Sequence, residues 1–176
     1  MKVRSYLLVV VFPLLIMTLW CVSLSIAIAR GTEVSFKVTG YDPRDLLSGH
    51  YLTYRVDYGT ESKIGTLPNS QPGCICLSVE PDGLAKGTWA GACEERNQST
   101  CSLFIKGTLE YGSFLAGIER YYFPEVYQES LATVPSDATI KVKITSEGSA
   151  YVQAMLVAGE PIEEYARRTQ RDKGVR

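Results

Sequence analysis

The pattern of hydrophobic residues changes once along this chain, near residue 30. Residues 6–29 contain no charged side chain, a pattern typical of a helix that lies in a bilayer. From Thr32 onward apolar and polar residues alternate, with Val34, Phe36 and Val38 as the first apolar series. This period of two predicts half-buried β-strands. The pattern therefore predicts a single apolar helix followed by a mainly β domain.

The apolar segment, Tyr6–Ala29, has two interpretations. At about 1.5 Å per residue it reaches roughly 36 Å, enough to cross a hydrocarbon core with some tilt. Residues 27–29 also fit a signal-peptide cleavage site, so a cleaved signal is the alternative. The run is longer than the about 7–15 residues of a signal-peptide core, which favours a retained transmembrane anchor. Lys2 and Arg4 favour a cytoplasmic N-terminus.

Turn sequences divide the rest of the chain into about seven or eight strands. Asp42-Pro43, residues 81–83 and Glu147-Gly148 are turn signals, and Pro124 opens a short predicted helix through Ala132. Strands of this number need both faces covered, which predicts an antiparallel β sandwich or small barrel with one short helix. The predicted strands cover residues 32–39, 51–58, 74–79, 84–93, 101–109, 118–123, 140–144 and 150–157.

The same pattern predicts three parts of the chain. Residues 1–30 form the anchor or signal, residues 31–160 an extracytoplasmic β domain, and residues 161–176 a charged C-terminal tail. The tail is predicted to be a solvated, partly helical end. Its basic residues also allow contact with anionic lipid head groups or with an acidic partner.

Charge and motifs limit the function classes. Residues 31–176 carry 15 basic and 19 acidic side chains, a net charge of −4, which disfavours nucleic-acid binding. The sequence contains no glycine-rich phosphate loop, no H-E-x-x-H and no G-x-S-x-G. We therefore predict no catalytic residue, no cofactor and no metal site.

Four cysteines fall among the predicted strands: Cys74, Cys76, Cys93 and Cys101. An even number beyond an apolar anchor predicts two disulfides in an oxidising compartment. Three pairings are possible, and the one that joins Cys74 to Cys76 needs local distortion of a strand. The sequence does not decide which of these pairings forms. Free thiols and a zinc site are the alternatives, but Cys-x-Cys lacks the usual zinc-ligand spacing.

Two charged clusters are the candidate binding or loop-bracing groups. Arginine can clamp a carboxylate with two hydrogen bonds, so each cluster can brace a loop or bind a partner. A structural role is the main interpretation, recognition of a partner the second, and catalysis the third. The lone histidine has no nucleophile at a recognisable spacing. The candidate residues are Asp42, Arg44, Asp45, His50, Tyr51, Glu119, Arg120 and Glu125.

Residues 41–55 resemble the signature of the GDYXXLXY family of bacterial membrane-anchored proteins, with Asp-Pro-Arg-Asp followed by Gly-x-Tyr and an aromatic strand. Residues 111–125 and 141–157 agree with that family as well, so the resemblance spans roughly residues 1 to 160. Three motif positions differ: His50 stands where the family has Asp, Tyr54 where it has Leu, and Val56 where it has Tyr.

The resemblance implies architecture and location more than activity. Members are of uncharacterised function and commonly occur beside multi-pass membrane proteins, which implies such a protein in the bacterial inner membrane as the partner. The expected function is a non-enzymatic accessory or interaction subunit of a membrane protein complex, with its C-terminal domain in the periplasm. A periplasmic ligand-binding module and a hydrolase are the alternatives.

Overall fold

The computed structural model describes residues 2–40, 51–59, 71–97, 99–110, 113–127, 131 and 135–172. The chain begins with helix α1, Lys2–Ala29, which continues through Pro13. Its part Val9–Ala29 has 21 residues, a mean hydropathy of 2.4 and no residue buried inside the protein. At about 1.5 Å per residue this part is about 32 Å long, so α1 is long and apolar enough to cross a membrane once.

The described part of the domain after α1 holds ten strands and a second α-helix. The helix α2 comprises Ile162–Asp172. The strands are β1 Thr32–Gly40, β2 Tyr51–Val56, β3 Pro72–Val79, β4 Ala85–Gly91, β5 Phe104–Glu110, β6 Ser113–Leu115, β7 Arg120–Tyr122, β8 Ala138–Ile144, β9 Ala150–Val157 and β10 Glu160–Pro161.

These strands form two antiparallel sheets that curl around one main core. The larger sheet has the order β10-β9-β8-β1-β2-β7, and the smaller has the order β4-β3-β5-β6. The sheets are joined where the Ser35 N–H donates to the Gly83 carbonyl at 3.0 Å and the Gly87 N–H donates to the Tyr58 carbonyl at 2.7 Å. The prediction of a mainly antiparallel β fold behind an apolar helix is confirmed.

The alternation in the sequence sets which residues fill the core. Val34, Phe36 and Val38 on β1 are at most 1 % exposed, and every second residue of β8 is buried in the same way. The Tyr58 ring packs edge-on against Phe36, with 5.3 Å between ring centres, and against Phe114 at 5.4 Å. Phe36 belongs to the larger sheet and Phe114 to the smaller, so Tyr58 links the two sheets.

Strand β3 is buried on both of its faces. Ile75 and Leu77 point into the main core, whereas Cys74 and Cys76 lie in a second, smaller core. Phe104 completes this second core. A continuous apolar run is expected for a strand that is covered on both sides.

Two disulfides staple the second core. Cys74 is bonded to Cys93, and Cys76 is bonded to Cys101. The prediction of two disulfides is confirmed, and the zinc and free-thiol alternatives for these four cysteines are excluded. The register explains the pairing: Cys74 pairs with Gly91 on β4, close to Cys93, whereas Cys76 pairs with Phe104 on β5, close to Cys101.

The helix content differs from the expectation. The predicted helix over residues 124–132 is a single 3-10 turn at Glu125–Tyr127, and residues 128–130 and 132 lie outside the described residues. The segment predicted as a solvated, partly helical tail does contain a helix, α2, but one face of this helix is buried. Ile162 and Ala166 on α2 are fully buried in the main core, because residues four apart share one face of a helix.

Candidate interaction site

Three side chains meet on the outer face of β2 and β7. The antiparallel register sets Tyr51 opposite Tyr122 and Thr53 opposite Arg120. The Tyr51 and Tyr122 ring centres are 5.8 Å apart, and the Arg120 guanidinium lies 5.2 Å from the centre of the Tyr51 ring. Both distances suit aromatic and cation–π contacts. Tyr51, Arg120 and Tyr122 are called the Tyr51 cluster below.

The Tyr51 cluster lies at an exposed edge of the domain. Strand β7 is the last strand of the larger sheet among the described residues. Tyr122 is 66 % exposed, and Val126 in the following 3-10 turn is 65 % exposed. Tyrosine and arginine are enriched among residues that dominate protein–protein binding. This edge therefore has the composition of a contact surface.

Beneath the cluster, Glu119 fastens the β6–β7 connection to the sheet. Its carboxylate accepts a hydrogen bond from the Ala116 N–H at 2.7 Å and one from the Tyr58 hydroxyl at 3.5 Å. Its carbonyl accepts the Tyr54 N–H at 3.2 Å. Gly117 makes this arrangement possible with a φ of 81°, a conformation that glycine adopts without strain.

Two buried tyrosines complete this support. The Tyr54 hydroxyl donates to the Ile118 carbonyl across the core. Burial, and then the nearby Glu119 charge, raise the pKa of Tyr54 and of Tyr58 well above the ordinary value. Both hydroxyls therefore stay protonated at neutral pH, where they serve as hydrogen-bond donors.

Helix α2 braces the same region from the other side. The Tyr121 hydroxyl donates to the Glu163 carboxylate at 2.6 Å, and the Gln170 side-chain amide donates to the Val126 carbonyl. Burial, and then the Glu163 hydrogen bond, raise the pKa of Tyr121. Strand β7 and the 3-10 turn are thus held between the sheet and α2.

The structure separates the predicted site residues by role. Glu119 points toward the core network, Arg120 is exposed in the Tyr51 cluster, and Glu125 is exposed at the start of the 3-10 turn. Sequence reasoning missed Tyr122, although the run of three aromatic residues at 121–123 signalled it. The other predicted residues lie outside the described residues: Asp42, Arg44, Asp45 and His50.

A shallow groove runs beside α2. Its walls consist of charged side chains, and the Arg168 guanidinium pairs with the Glu160 carboxylate at 2.8 Å. Small-molecule sites are mostly apolar with a few polar groups, so this groove has the wrong lining for one. Within the described ranges, no three His, Cys, Asp or Glu side chains come together in a way that could hold a metal ion.

Comparison with known proteins gives one match. A family model described as GDYXXLXY protein matches residues 13–155, which is most of the chain. The matched region begins inside α1 and ends inside β9, so it includes the Tyr51 cluster and all four bonded cysteines. No curated protein and no solved structure matches.

Proposed function

This chain belongs to the GDYXXLXY family, and from this premise we propose that it is a single-pass, membrane-anchored accessory subunit of a membrane protein complex. On this proposal the β domain acts without catalysis, outside the cytoplasm, by contacting a partner protein. The resemblance to a family found beside multi-pass membrane proteins makes such a protein in the bacterial inner membrane the proposed partner.

Helix α1 supports the proposal of a membrane anchor. Every described α1 residue from Val9 to Ala27 is exposed, so this apolar surface has no cover within the protein. Exposed apolar surface of this size is unfavourable in water and favourable in lipid. Retention of α1 as a transmembrane span keeps the domain beside other membrane proteins.

The disulfides support an extracytoplasmic domain. Disulfides such as Cys74–Cys93 and Cys76–Cys101 persist in oxidising compartments and are rare in the cytosol. Lys2 and Arg4 favour the opposite side of the membrane for the N-terminus. We therefore propose a cytoplasmic N-terminus and a periplasmic domain.

The observation that carries the interaction role is the Tyr51 cluster on its rigid support. Tyr51, Arg120 and Tyr122 are exposed or half-exposed, whereas Glu119 behind them is engaged in hydrogen bonds within the fold. Rigid, pre-organised contact groups lose little conformational entropy on binding. The cluster is thus suited to bind a protein surface.

Two substitutions separate the contact role from the bracing role. Arg120→Ala removes an exposed side chain, and Glu119→Ala removes the acceptor of the Ala116 N–H. Each variant of the full chain is expressed in native membranes, which are then solubilised in mild detergent. The size of the complex is read on a native gel, and the melting temperature is measured on the purified chain.

We expect Arg120→Ala to release the chain from its complex while its melting temperature stays within about 2 °C of the parent, since exposed substitutions rarely cost more than about 0.5 kcal/mol. Glu119→Ala is expected to lower the melting temperature. Lys86→Ala, an exposed change on β4, is the control and should alter neither property. A chain that migrates alone before any substitution contradicts the proposed function.

A further inference from the structure

The outer face of the larger sheet carries an excess of positive charge. Register pairs share a face of a sheet, and the buried residues of β1, β2 and β8 mark the opposite, inner face. Five basic residues point outward on four neighbouring strands: Lys37, Arg55, Arg120, Lys141 and Lys143. Their surface is called the basic face below.

Two acidic residues accompany them in the described part of this face. Glu33 lies 3.7 Å from the Lys141 ammonium, and Asp57 follows β2 beside Lys37. Among the described residues, five positive and two negative charges give the basic face a net charge of +3. The described residues from 31 to 172 carry 11 basic and 15 acidic side chains, a net charge of −4, so those outside the basic face carry −7. The domain is therefore strongly polarised although its net charge is small.

The link between α1 and the sheet is short. Only Arg30 and Gly31 separate the helix from β1, and their N–H groups donate to the Ile26 and Ile28 carbonyls at 3.0 Å. Gly31 also packs on the end of β8, because an added Cβ would lie 3.0 Å from the Ile144 carbonyl oxygen. The first residues of β1 therefore lie within about 10 Å of the helix end, close to one Debye length at physiological salt.

We propose that the basic face lies against the anionic head groups of the membrane that α1 crosses. A polarised body that is tethered with one end within about a Debye length of a negative surface turns its positive side toward that surface. Basic side chains close to anionic lipids are attracted, whereas the acidic remainder of the domain is repelled. The inference rests on the membrane span of the proposed function and adds an orientation to it.

An anionic lipid surface fits the distribution of these charges better than an acidic protein. The basic residues are spread over four strands, and two of them, Lys141 and Lys143, lie toward the end of β8 that meets the start of β1 near the membrane. Lysine is depleted in protein–protein interfaces but common in segments that bind anionic lipid. The Tyr51 cluster lies at the β7 edge of the same face, beyond the end of β1 that is distant from α1, and we assign it to the partner protein rather than to lipid.

The test uses the full chain in lipid nanodiscs of two compositions. One set contains phosphatidylcholine alone, and the other contains phosphatidylcholine with phosphatidylglycerol in a molar ratio of about 7:3. An amine-reactive acetylating reagent labels the lysines, and mass spectrometry gives the rate at each position. Lys86 on β4 is the internal control, because it is exposed and belongs to the smaller sheet, where it pairs with Glu80 next to β3.

We expect acetylation of Lys37, Lys141 and Lys143 to be at least about threefold slower in the anionic discs, while the rate at Lys86 changes little. The difference should vanish in about 1 M salt, where the Debye length falls to roughly 3 Å. Lys37→Glu should restore fast labelling at Lys141, whereas the matched control Lys86→Glu should not. Lys37 and Lys86 are both exposed, so neither substitution is expected to disturb the fold.

Three results overturn the proposal. Equal rates in both kinds of disc, with the chain retained in the discs, overturn the orientation and leave the anchor intact. Slowing in native membranes but not in anionic discs assigns the face to an acidic protein and overturns the lipid assignment. A chain that washes out of the discs overturns the membrane span, and with it both this inference and the proposed function.

Discussion

The Tyr121 hydroxyl donates a hydrogen bond of 2.6 Å to the Glu163 carboxylate and so joins β7 to α2 across 42 residues of chain. Tyr121 belongs to the strand that carries the Tyr51 cluster, and Glu163 belongs to a segment that the sequence suggests is a tail. This contact makes the C-terminal helix a structural part of the β domain and a support for its exposed edge.

Tyr121→Phe should destabilise the domain by about 1.5 kcal/mol, because hydrogen bonds to charged groups contribute roughly 1.5–3 kcal/mol and this one is only half-buried. The urea midpoint of the full chain in neutral detergent measures the change. Tyr122→Phe is the matched control, since Tyr122 is 66 % exposed, and should leave the midpoint unchanged. Equal midpoints for the two variants would show that α2 is held without this bond.

Stability should fall as the pH rises above about 10. Burial raises the folded-state pKa of Tyr54 and Tyr58 above the ordinary value of 10.0, so the folded state keeps protons that the unfolded state has lost. The contribution is fully present below pH 10 and decreases by about 1.4 kcal/mol per pH unit for each such tyrosine above it.

Urea midpoints between pH 8 and pH 11.5, recorded before disulfide exchange occurs, test this slope. Tyr54→Phe should lower stability at pH 8 but give a shallower decline above pH 10, because one titrating group is gone. A flat profile through pH 11.5 would contradict the burial of these hydroxyls.

The disulfide pairing can be tested by removing cysteines two at a time. Replacing Cys74 and Cys93 with Ser should leave the other bridge intact, with a mass two hydrogens below the reduced form and a loss of about 3 kcal/mol, as expected for a closed loop of this size. Replacing Cys74 and Cys101 instead leaves Cys76 and Cys93, which are not partners. That mismatched variant should carry two alkylatable thiols in addition to Cys21, and quantitative oxidation of Cys76 and Cys93 in it would disprove the pairing.

Gly148→Ala should destabilise the domain by about 2–5 kcal/mol through two separate effects. Its φ of 83° is unfavourable for alanine, and the added Cβ would lie 2.5 Å from a Phe104 ring carbon. The conformational cost is about 1–2 kcal/mol, and overpacking adds about 1–3 kcal/mol. Gly83→Ala isolates the first cost, since its φ is 81° and nothing lies within 4 Å of an added Cβ. If the two variants have the same melting temperature, the contact with Phe104 adds nothing to the destabilisation.

The sequence alone determined the local features of this protein. An uncharged run of apolar residues defines α1, and the alternation of Val34, Phe36 and Val38 defines both a strand and its buried face, because successive side chains of a strand lie on opposite sides. The same alternation along a strand predicted that Glu119 and Arg120 point to opposite faces. Four cysteines beyond an apolar helix were enough to predict two bridges.

Only the tertiary structure decided the features that depend on contacts between distant segments. The sequence allowed three disulfide pairings, and the register of β3 between β4 and β5 selected one. Ile162 and Ala166 are two apolar residues in a charged segment, too few to reveal that α2 packs on the core. The basic face arises because β8 lies beside β1, far away in sequence, and no local pattern specifies which strands become neighbours.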